Sequence, residues 1–187
     1  MRATLMTLTR RELILGTLGA TAWSAIASAQ QHAHKLIASS ASTTFEYLDP
    51  ATAQDITAIA AHIVPSDDGP GATEAGAVYF IDRALTTFAA DRQTAYRDGL
   101  ADLNSRRRNL FPESASFADL SQAKQAQLLH AIETTDFFLL LRTHTVLAWL
   151  GSPEYGGNRN SVGWKYIGFD DAGFFEPPFG HYDAEVK

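Results

Sequence analysis

Cysteine is absent from this chain of 187 residues. Without a thiol, the chain cannot form a disulfide, attach a c-type haem covalently, ligate an iron–sulfur cluster or use a cysteine nucleophile. Positive charge is also scarce, because 15 Lys and Arg face 21 Asp and Glu, for a formal net charge of −6. This balance predicts no nucleic-acid partner, since binding to phosphates needs a basic surface.

The short motifs of common self-contained enzymes are missing as well. The sequence contains no Gly-x-Gly-x-x-Gly, no Gly-x-Ser-x-Gly and no His-Glu-x-x-His, and no two histidines are four residues apart. Hydrophobic residues make up 45% of the chain and charged residues 19%, which is typical of a soluble globular domain. We therefore predict one folded domain that has no catalytic residues of its own and binds no cofactor itself.

Residues 1–29 have the pattern of a secretory leader. Arg10 and Arg11 precede an apolar stretch, Leu13–Ile26, that is too short to span a hydrocarbon core of ~30 Å. Small residues follow, and we expect cleavage after Ala29. Thr-Arg-Arg-x-Leu-Ile is typical of a twin-arginine signal, with an ordinary secretory signal as the alternative. The expected location is the periplasm, and no direct membrane span is predicted.

The remaining chain divides into a lead-in and a domain. The leader holds three arginines and one glutamate, so its removal takes the net charge from −6 to −8. Residues 30–44 are rich in Ala, Ser, Thr and His and are predicted to form a flexible lead-in. His32 and His34 could ligate a metal as an i, i+2 pair, although a tether is the favoured interpretation. Residues 45–187 are predicted to form a single helical domain with a C-terminal arm, 152–187.

Apolar residues recur with helical spacing in several segments of the domain. The predicted helices begin after the capping residue Asp49 and end at Pro65, run from Thr73 to Thr87, run from Asp91 to the stretch 104–109, begin after Ser121, and run from Phe137 to Leu150. No segment alternates with period two, so no sheet is expected. The sequence predicts an all-α bundle of about five helices.

The fifth predicted helix is apolar nearly all round, which predicts the buried central helix of the bundle. Arg142 and His144 lie within it, and polar groups in such surroundings need partners. We interpret them as an internal hydrogen-bonded pair. An acid–base histidine and an interface arginine are the alternatives.

A carboxylate cluster follows the first helix, with Asp67 and Asp68 close to Glu74. Paired carboxylates can hold calcium when ligands at alternate positions converge. The spacing matches no EF-hand loop, and acidic residues are favoured at helix N-termini for other reasons. Capping is the favoured role, with a metal site at Asp67 and Asp68 left open.

The C-terminal arm combines aromatic residues with glycine. Seven aromatics fall between residues 164 and 182 and are separated by Gly and Pro, a composition that disfavours helices. Such side chains need burial, against the bundle or against another subunit. Tyr, Arg and Trp are also common at interface hot spots. The predicted partner interface consists of Glu154, Tyr155, Gly156, Gly157, Asn158, Arg159, Trp164 and Lys165. The alternative is that Trp164 plugs the bundle.

Two blocks of sequence resemble the gluconate 2-dehydrogenase subunit 3 family. Residues 56–82 contain an Ile-x-Pro-x-Asp turn, then Gly-Ala-x-Glu-Ala-Gly, then Phe-Ile-Asp. Residues 154–159, Glu-Tyr-Gly-Gly-Asn-Arg, and 163–168, Gly-Trp-Lys-Tyr-Ile-Gly, resemble the C-terminal block of that family. The twin-arginine leader is also typical of it.

The resemblance implies the small subunit of a periplasmic, membrane-associated dehydrogenase complex that oxidises a sugar or sugar acid. In such complexes a large FAD-containing subunit oxidises the substrate, and a multihaem cytochrome c subunit passes electrons to quinone and holds the complex at the membrane. The small subunit carries neither FAD nor haem c. It is implied to accompany the large subunit through export and to support its maturation. The resemblance transfers no catalytic residue and leaves the substrate open.

Two other functions are compatible with the residues. One is a small stand-alone periplasmic enzyme that uses His144 or His62 with nearby carboxylates. The other is a metal-buffering or ligand-binding protein that uses the histidines and carboxylates named above, at positions 32, 34, 67 and 68.

Overall fold

A computed structural model describes residues 44–172. Arg10, Arg11, His32 and His34 therefore lie outside the described residues, as does the arm beyond Ala172. Within the described range the chain forms six α-helices and no strand: α1 Pro50–Ile63, α2 Ala77–Thr86, α3 Gln93–Leu110, α4 Gln122–His130, α5 Asp136–Leu150 and α6 Val162–Ile167. The predicted all-α class is confirmed. Between residues 44 and 172, no helix has both the length and the apolar character required to cross a bilayer.

The beginnings of α1 and α5 follow from capping. The side chain of Asp49 accepts hydrogen bonds from the backbone N–H groups of Ala51 and Thr52, both at 3.0 Å, and Pro50 occupies the first helical position. The Thr135 hydroxyl accepts from Phe138 N at 3.3 Å and caps α5. Both starts lie within a residue of the predicted positions.

The starts of α2 and α3 and the end of α3 differ from the prediction. Gly76 has a left-handed φ of 68°, so α2 begins at Ala77 instead of Thr73. A single 3₁₀ turn, Ala90–Arg92, precedes α3. That helix continues through its three consecutive arginines to Leu110, because Arg107 is buried and its guanidinium donates to Ser114 O and to Asn104 Oδ1. A run of arginines therefore does not end this helix.

Helix α5 lies at the centre of the bundle and packs against α1, α2, α3 and α6. Helices α1 to α5, together with the segment after α4, contribute the largest fully buried aliphatic side chains. These are Ile56, Ile59, Ile81, Leu85, Leu103, Leu128, Ile132 and Leu141. Each such side chain contributes about 1.5–3 kcal/mol by leaving water. The contacts of α5 therefore organise the core.

The prediction that α5 is buried on all sides is wrong. Leu139, Val146, Leu147 and Leu150 are between 37% and 47% exposed, whereas Leu141 is fully buried. The helices that pack on α5 cover its inner face, and no described residue covers the outer one. The apolar outer face is therefore a surface of the described chain.

Arg142 and His144 do not form the predicted internal pair. Residues two apart on a helix are separated by about 200° around its axis, so the two side chains lie on different faces. His144 is buried, and its Nδ1 lies 2.8 Å from the hydroxyl of Tyr96 on α3. Arg142 is exposed. The buried histidine therefore finds its partner on another helix.

A buried carboxylate fixes the chain where it enters the domain. Asp82 on α2 accepts hydrogen bonds from the backbone N–H groups of Glu46, Tyr47 and Leu48 at 2.8, 3.0 and 2.8 Å. The donors lie 34 to 36 residues away in sequence. Asp82 thus attaches the segment before α1 to α2.

Candidate partner-binding surface

The described part of the arm, residues 152–172, folds onto α2 and α5. It contains 3₁₀ turns at Pro153–Tyr155 and Arg159–Ser161 and then α6, so it is more regular than predicted. A Cβ on Gly163, inside α6, would collide with the backbone carbonyl of Trp149. The lack of a side chain at this position lets α6 lie directly on α5, and this packing outweighs the low helix propensity of glycine.

Asn158 joins the end of α5 to the start of α6. It is fully buried and has a left-handed φ of 43°. Its backbone N–H donates to Ala148 O at 2.6 Å, and its side-chain Nδ2 donates to Gly151 O at 2.9 Å. Its Oδ1 accepts from Gly163 N at 2.8 Å. Asn158 thus hydrogen-bonds the loop to both the end of α5 and the start of α6.

Gly156 and Gly157 are also buried, and a Cβ on Gly157 would collide with the backbone of Ala148. Three members of the predicted partner interface, these two glycines and Asn158, thus lie inside the chain and shape the loop. Among the others, Tyr155 and Lys165 are exposed. Glu154, Arg159 and Trp164 are half-buried. Only the exposed and half-buried members of the set therefore present surface that a partner could contact.

Arg159 connects the two blocks of sequence that carry the family resemblance. Its backbone N–H donates to Ala75 O at 3.1 Å, and its guanidinium carbon lies 3.6 Å from the centre of the Tyr79 ring. The other stacking partner of Tyr79 is Phe45, with ring centres 5.1 Å apart. A cation over an aromatic ring contributes about 0.5–2 kcal/mol. The packing of Arg159 therefore joins the arm to α2.

Two tryptophans make a second connection, at the C-terminal end of α5. Trp149 Nε1 donates to Pro70 O at 2.9 Å, and Trp164 Nε1 donates to Leu150 O at 2.6 Å. The Tyr166 ring lies 5.8 Å from the Trp149 ring. The loop after α1 and helix α6 are thereby attached to the same end of α5.

Next to these anchors the chain has a surface of exposed and half-buried side chains that are mostly apolar. We call its first part the α5 stripe, formed by Leu139, Thr143, Val146, Leu147 and Leu150. We call its second part the C-terminal cluster, formed by Trp164, Tyr166, Ile167 and Phe169. The two parts meet where Trp164 bonds to Leu150, and the Phe169 ring lies 5.0 Å from that of Trp164. Contiguous apolar surfaces of this kind mark interaction sites, whereas isolated exposed apolar residues do not.

The acidic cluster after α1 has a local role. Glu74 accepts hydrogen bonds from the Ser66 hydroxyl at 2.5 Å and from Gly71 N at 2.9 Å, and the Ser66 bond is the main cause that lowers the pKa of Glu74. Asp67 and Asp68 are exposed in the same loop. Over residues 44–172, no three His, Cys, Asp or Glu side chains come together in a way that could hold a metal ion. Glu74 therefore stabilises the loop through these two hydrogen bonds.

The two histidines considered for catalysis have different surroundings. His144 is buried against Tyr96, and desolvation, followed by the charge of Arg92, lowers its pKa. A substrate has no direct access to it. His62 is half-buried at the edge of a cleft of about 270 Å³, and its Nε2 lies 2.9 Å from Gln125 Oε1.

An apolar groove of about 610 Å³ runs between α1 and the start of α2. Its lining is mostly alanine and other apolar residues, with Phe45 and Tyr79 among them, and its polar side chains include Gln54, Thr57 and Thr73. The groove is therefore suited to apolar side chains, and it offers few hydrogen-bonding side chains to a ligand rich in hydroxyls.

Comparison with known families gives one match. The model of the family described as gluconate 2-dehydrogenase subunit 3 matches residues 50–171. Searches of curated proteins and of solved structures found no match. The matched region begins with the first residue of α1 and includes both the loop around Asn158 and the C-terminal cluster. It covers well over half of the chain, and the chain therefore belongs to the gluconate 2-dehydrogenase subunit 3 family.

Proposed function

We propose that this chain is the non-catalytic small subunit of a membrane-associated, FAD-dependent dehydrogenase complex that oxidises gluconate or a related sugar or polyol. It binds the large FAD-containing subunit, supports its maturation and leaves the cytoplasm with it by the twin-arginine route. A multihaem cytochrome c subunit completes the complex in the periplasm and holds it at the membrane. The observation that carries the proposal is the apolar surface formed by the α5 stripe and the C-terminal cluster, on a member of this family.

The surroundings of the candidate catalytic histidines support a non-catalytic role. His144 is buried and lies 2.8 Å from the Tyr96 hydroxyl, and the Nε2 of His62 is held 2.9 Å from Gln125 Oε1. The apolar groove between α1 and α2 offers few partners for the hydroxyls of a sugar. In this proposal the FAD and haem c are carried by the partner subunits.

The leader and the folded domain together support joint export. The twin-arginine route carries folded proteins, so a partner that has bound FAD in the cytoplasm can travel with a subunit that has the signal. Loss of the leader leaves a net charge of −8, which does not favour direct docking on anionic lipid head groups. Attachment to the membrane through a partner is consistent with this charge.

Fractionation of cells that express the large subunit tests the proposal. We expect FAD-dependent dehydrogenase activity in the periplasm when the wild-type chain is present, and its loss when the chain is deleted or carries Arg10→Lys with Arg11→Lys. Arg2→Lys is the matched control, since it changes an arginine of the leader outside the signal pair. Full periplasmic activity without this chain would contradict the proposal.

A further inference from the structure

Arg142 is a cation at the edge of the α5 stripe. It is exposed, and none of the ion pairs between residues 44 and 172 includes it. By contrast, Arg106 on α3 pairs with Asp102 at 2.7 Å, and Arg97 with Asp98 at 3.2 Å. The guanidinium of Arg142 therefore has no carboxylate partner in the described part of its own chain.

The same arginine lines the cleft of about 270 Å³ beside α4 and α5. The cleft's polar lining is His62, His130, Glu133 and Arg142, and its apolar walls include Ile63, Leu129 and Phe138. Glu133, the carboxylate among these residues, already lies 2.9 Å from His130 Nδ1. The cleft thus presents a cation beside apolar walls, an arrangement that favours a carboxylate on a short apolar stem.

The orientation of His62 follows from its neighbour Gln125. The Gln125 amide nitrogen donates to Phe117 O at 3.1 Å, which fixes the amide and points its Oε1 at His62 Nε2. Because an amide oxygen only accepts, His62 Nε2 carries a hydrogen and is the donor. His62 is therefore occupied by Gln125, as Glu133 is by His130. Among the charged side chains of the cleft, Arg142 is the one without an ion-pair partner in the described residues.

Arg142 lies about one helical turn from both Leu139 and Val146 of the α5 stripe. The stripe contains one hydroxyl group, on Thr143. Thr143 Oγ1 donates to Leu139 O at 2.9 Å, so its polar atom is satisfied within the helix. The stripe from Leu139 to Leu150 is about 17 Å long, at 1.5 Å per residue. It is long enough to pack against one helix or strand of another protein.

A second copy of this chain is a poor occupant of the stripe. Antiparallel pairing of two stripes about their common centre would place Arg142 of each copy opposite Leu147 of the other. Each guanidinium would then be buried without a carboxylate, which is costly. Each mature copy also carries a net charge of −8. The charge pattern therefore favours a different partner that brings a carboxylate.

Building on the function proposed above, we propose that the FAD-containing subunit covers the α5 stripe with an apolar face and inserts an Asp or Glu side chain into the cleft, where it pairs with Arg142. A guanidinium can bind a carboxylate through two parallel hydrogen bonds. Phe138 in the cleft, with Leu139 and Val146 about one helical turn from Arg142, would exclude water from such a pair when the partner is bound. The stripe supplies contact area and Arg142 fixes the register.

Titration of the purified FAD-containing subunit with the mature chain tests this interface. We expect Arg142→Glu to raise Kd about 10- to 100-fold, and Arg142→Lys to raise it less, since an ammonium keeps the charge and loses the bidentate geometry. Leu147→Ser should also raise Kd. Arg97→Glu on α3 is the matched charge reversal outside the surface and should leave Kd unchanged. Wild-type affinity should fall with added salt more steeply than that of Arg142→Glu.

The outcomes separate this inference from the proposed function. If the wild-type chain does not bind the FAD-containing subunit at all, the proposed function itself fails. If it binds, and Arg142→Glu or Leu147→Ser binds as tightly as Arg97→Glu, the assignment of this interface is wrong and the function stands. A wild-type homodimer that Leu147→Ser dissociates would also overturn the assignment, because the occupant would then be a second copy. Circular dichroism of each variant checks that it is folded.

Discussion

The loop 156–163 adjoins the C-terminal end of α5, and the loop and the outer face of that helix use their residues in opposite ways. In the loop, polar and small residues such as Asn158 and Gly163 are buried and satisfied within the chain. On the outer face of α5, large apolar residues such as Leu147 are left in water. The loop therefore builds a rigid support, and the apolar face beside it is the part that a partner can cover.

The largest expected change in the free energy of unfolding comes from a substitution on the inner face of α5, with the outer face as the comparison. Leu141→Ala should lower the free energy of unfolding of the isolated mature chain by about 2–5 kcal/mol, because it leaves a cavity in the core. Leu147→Ala should change it by no more than about 0.5 kcal/mol, because that side chain is already half exposed. Urea unfolding followed by circular dichroism measures both. Similar losses in the two variants would mean that the outer face is also covered within the chain.

The loop should be nearly as sensitive as the core. Asn158→Ala removes the side-chain donor to Gly151 O and the acceptor for Gly163 N, and it places alanine in a left-handed conformation. We expect a loss of about 2–4 kcal/mol in the free energy of unfolding, from two unsatisfied backbone groups and the backbone strain. Asn158→Asp retains an acceptor for Gly163 N and serves as the comparison.

A loss below about 1 kcal/mol for Asn158→Ala would contradict the view that the loop is a rigid support. In that case Tyr155 and Lys165, which lie on either side of it, would not be held in fixed positions for a partner. The measurement is again urea unfolding of the isolated chain, so it does not depend on the partner's identity.

A structural feature could be predicted from the sequence when the residues that determine it are close together along the chain. The start of α1 was predictable, because the cap Asp49 and Pro50 act within one turn. The role of Asp82 was not, since its three N–H donors lie 34 to 36 residues away. The apolar character of α5 predicted burial for the whole helix, which holds for Leu141 and not for Leu147. It could not indicate that α5 lacks a neighbour on its other side, because a helix that is apolar all round has the same sequence whether its second face is covered by its own chain or by another.

The arm illustrates the same limit. Glycine at position 163 suggests irregular structure when only local propensity is considered. In the fold its missing side chain is what allows α6 to contact Trp149 on α5. Gly156, Gly157 and Asn158 have structural roles in the loop: a positive φ at Gly156, close backbone packing at Gly157 and hydrogen bonds at Asn158.

Two glycines of the arm provide a matched test of that packing. Gly163→Ala should lower the free energy of unfolding by about 1–3 kcal/mol, because its Cβ would meet the Trp149 carbonyl and force α6 away from α5. Gly168→Ala has no atom within 4 Å of its Cβ and differs only in having a φ of 70°, so we expect about 1 kcal/mol. Thermal and urea unfolding of the two variants give the difference. Equal losses would show that backbone strain, and not the α5–α6 contact, determines the cost.

The smallest expected effect concerns the inner face of α5 and its dependence on pH. Desolvation lowers the pKa of His144 below its usual value near 6.5, so the unfolded chain takes up this proton more readily than the folded one. The stability that the neutral histidine contributes is therefore complete above pH ~6.5 and declines as the pH falls through the lowered folded-state pKa. His144→Gln can still hydrogen-bond with Tyr96 and cannot titrate, so we expect its free energy of unfolding to fall less than that of the wild type between pH 7 and pH 5. The other histidines are common to both proteins and cancel in the comparison. Parallel pH profiles would mean that His144 binds a proton as tightly in the folded chain as in the unfolded chain. The contrast between a desolvated inner face and a solvated outer face of α5 would then not hold.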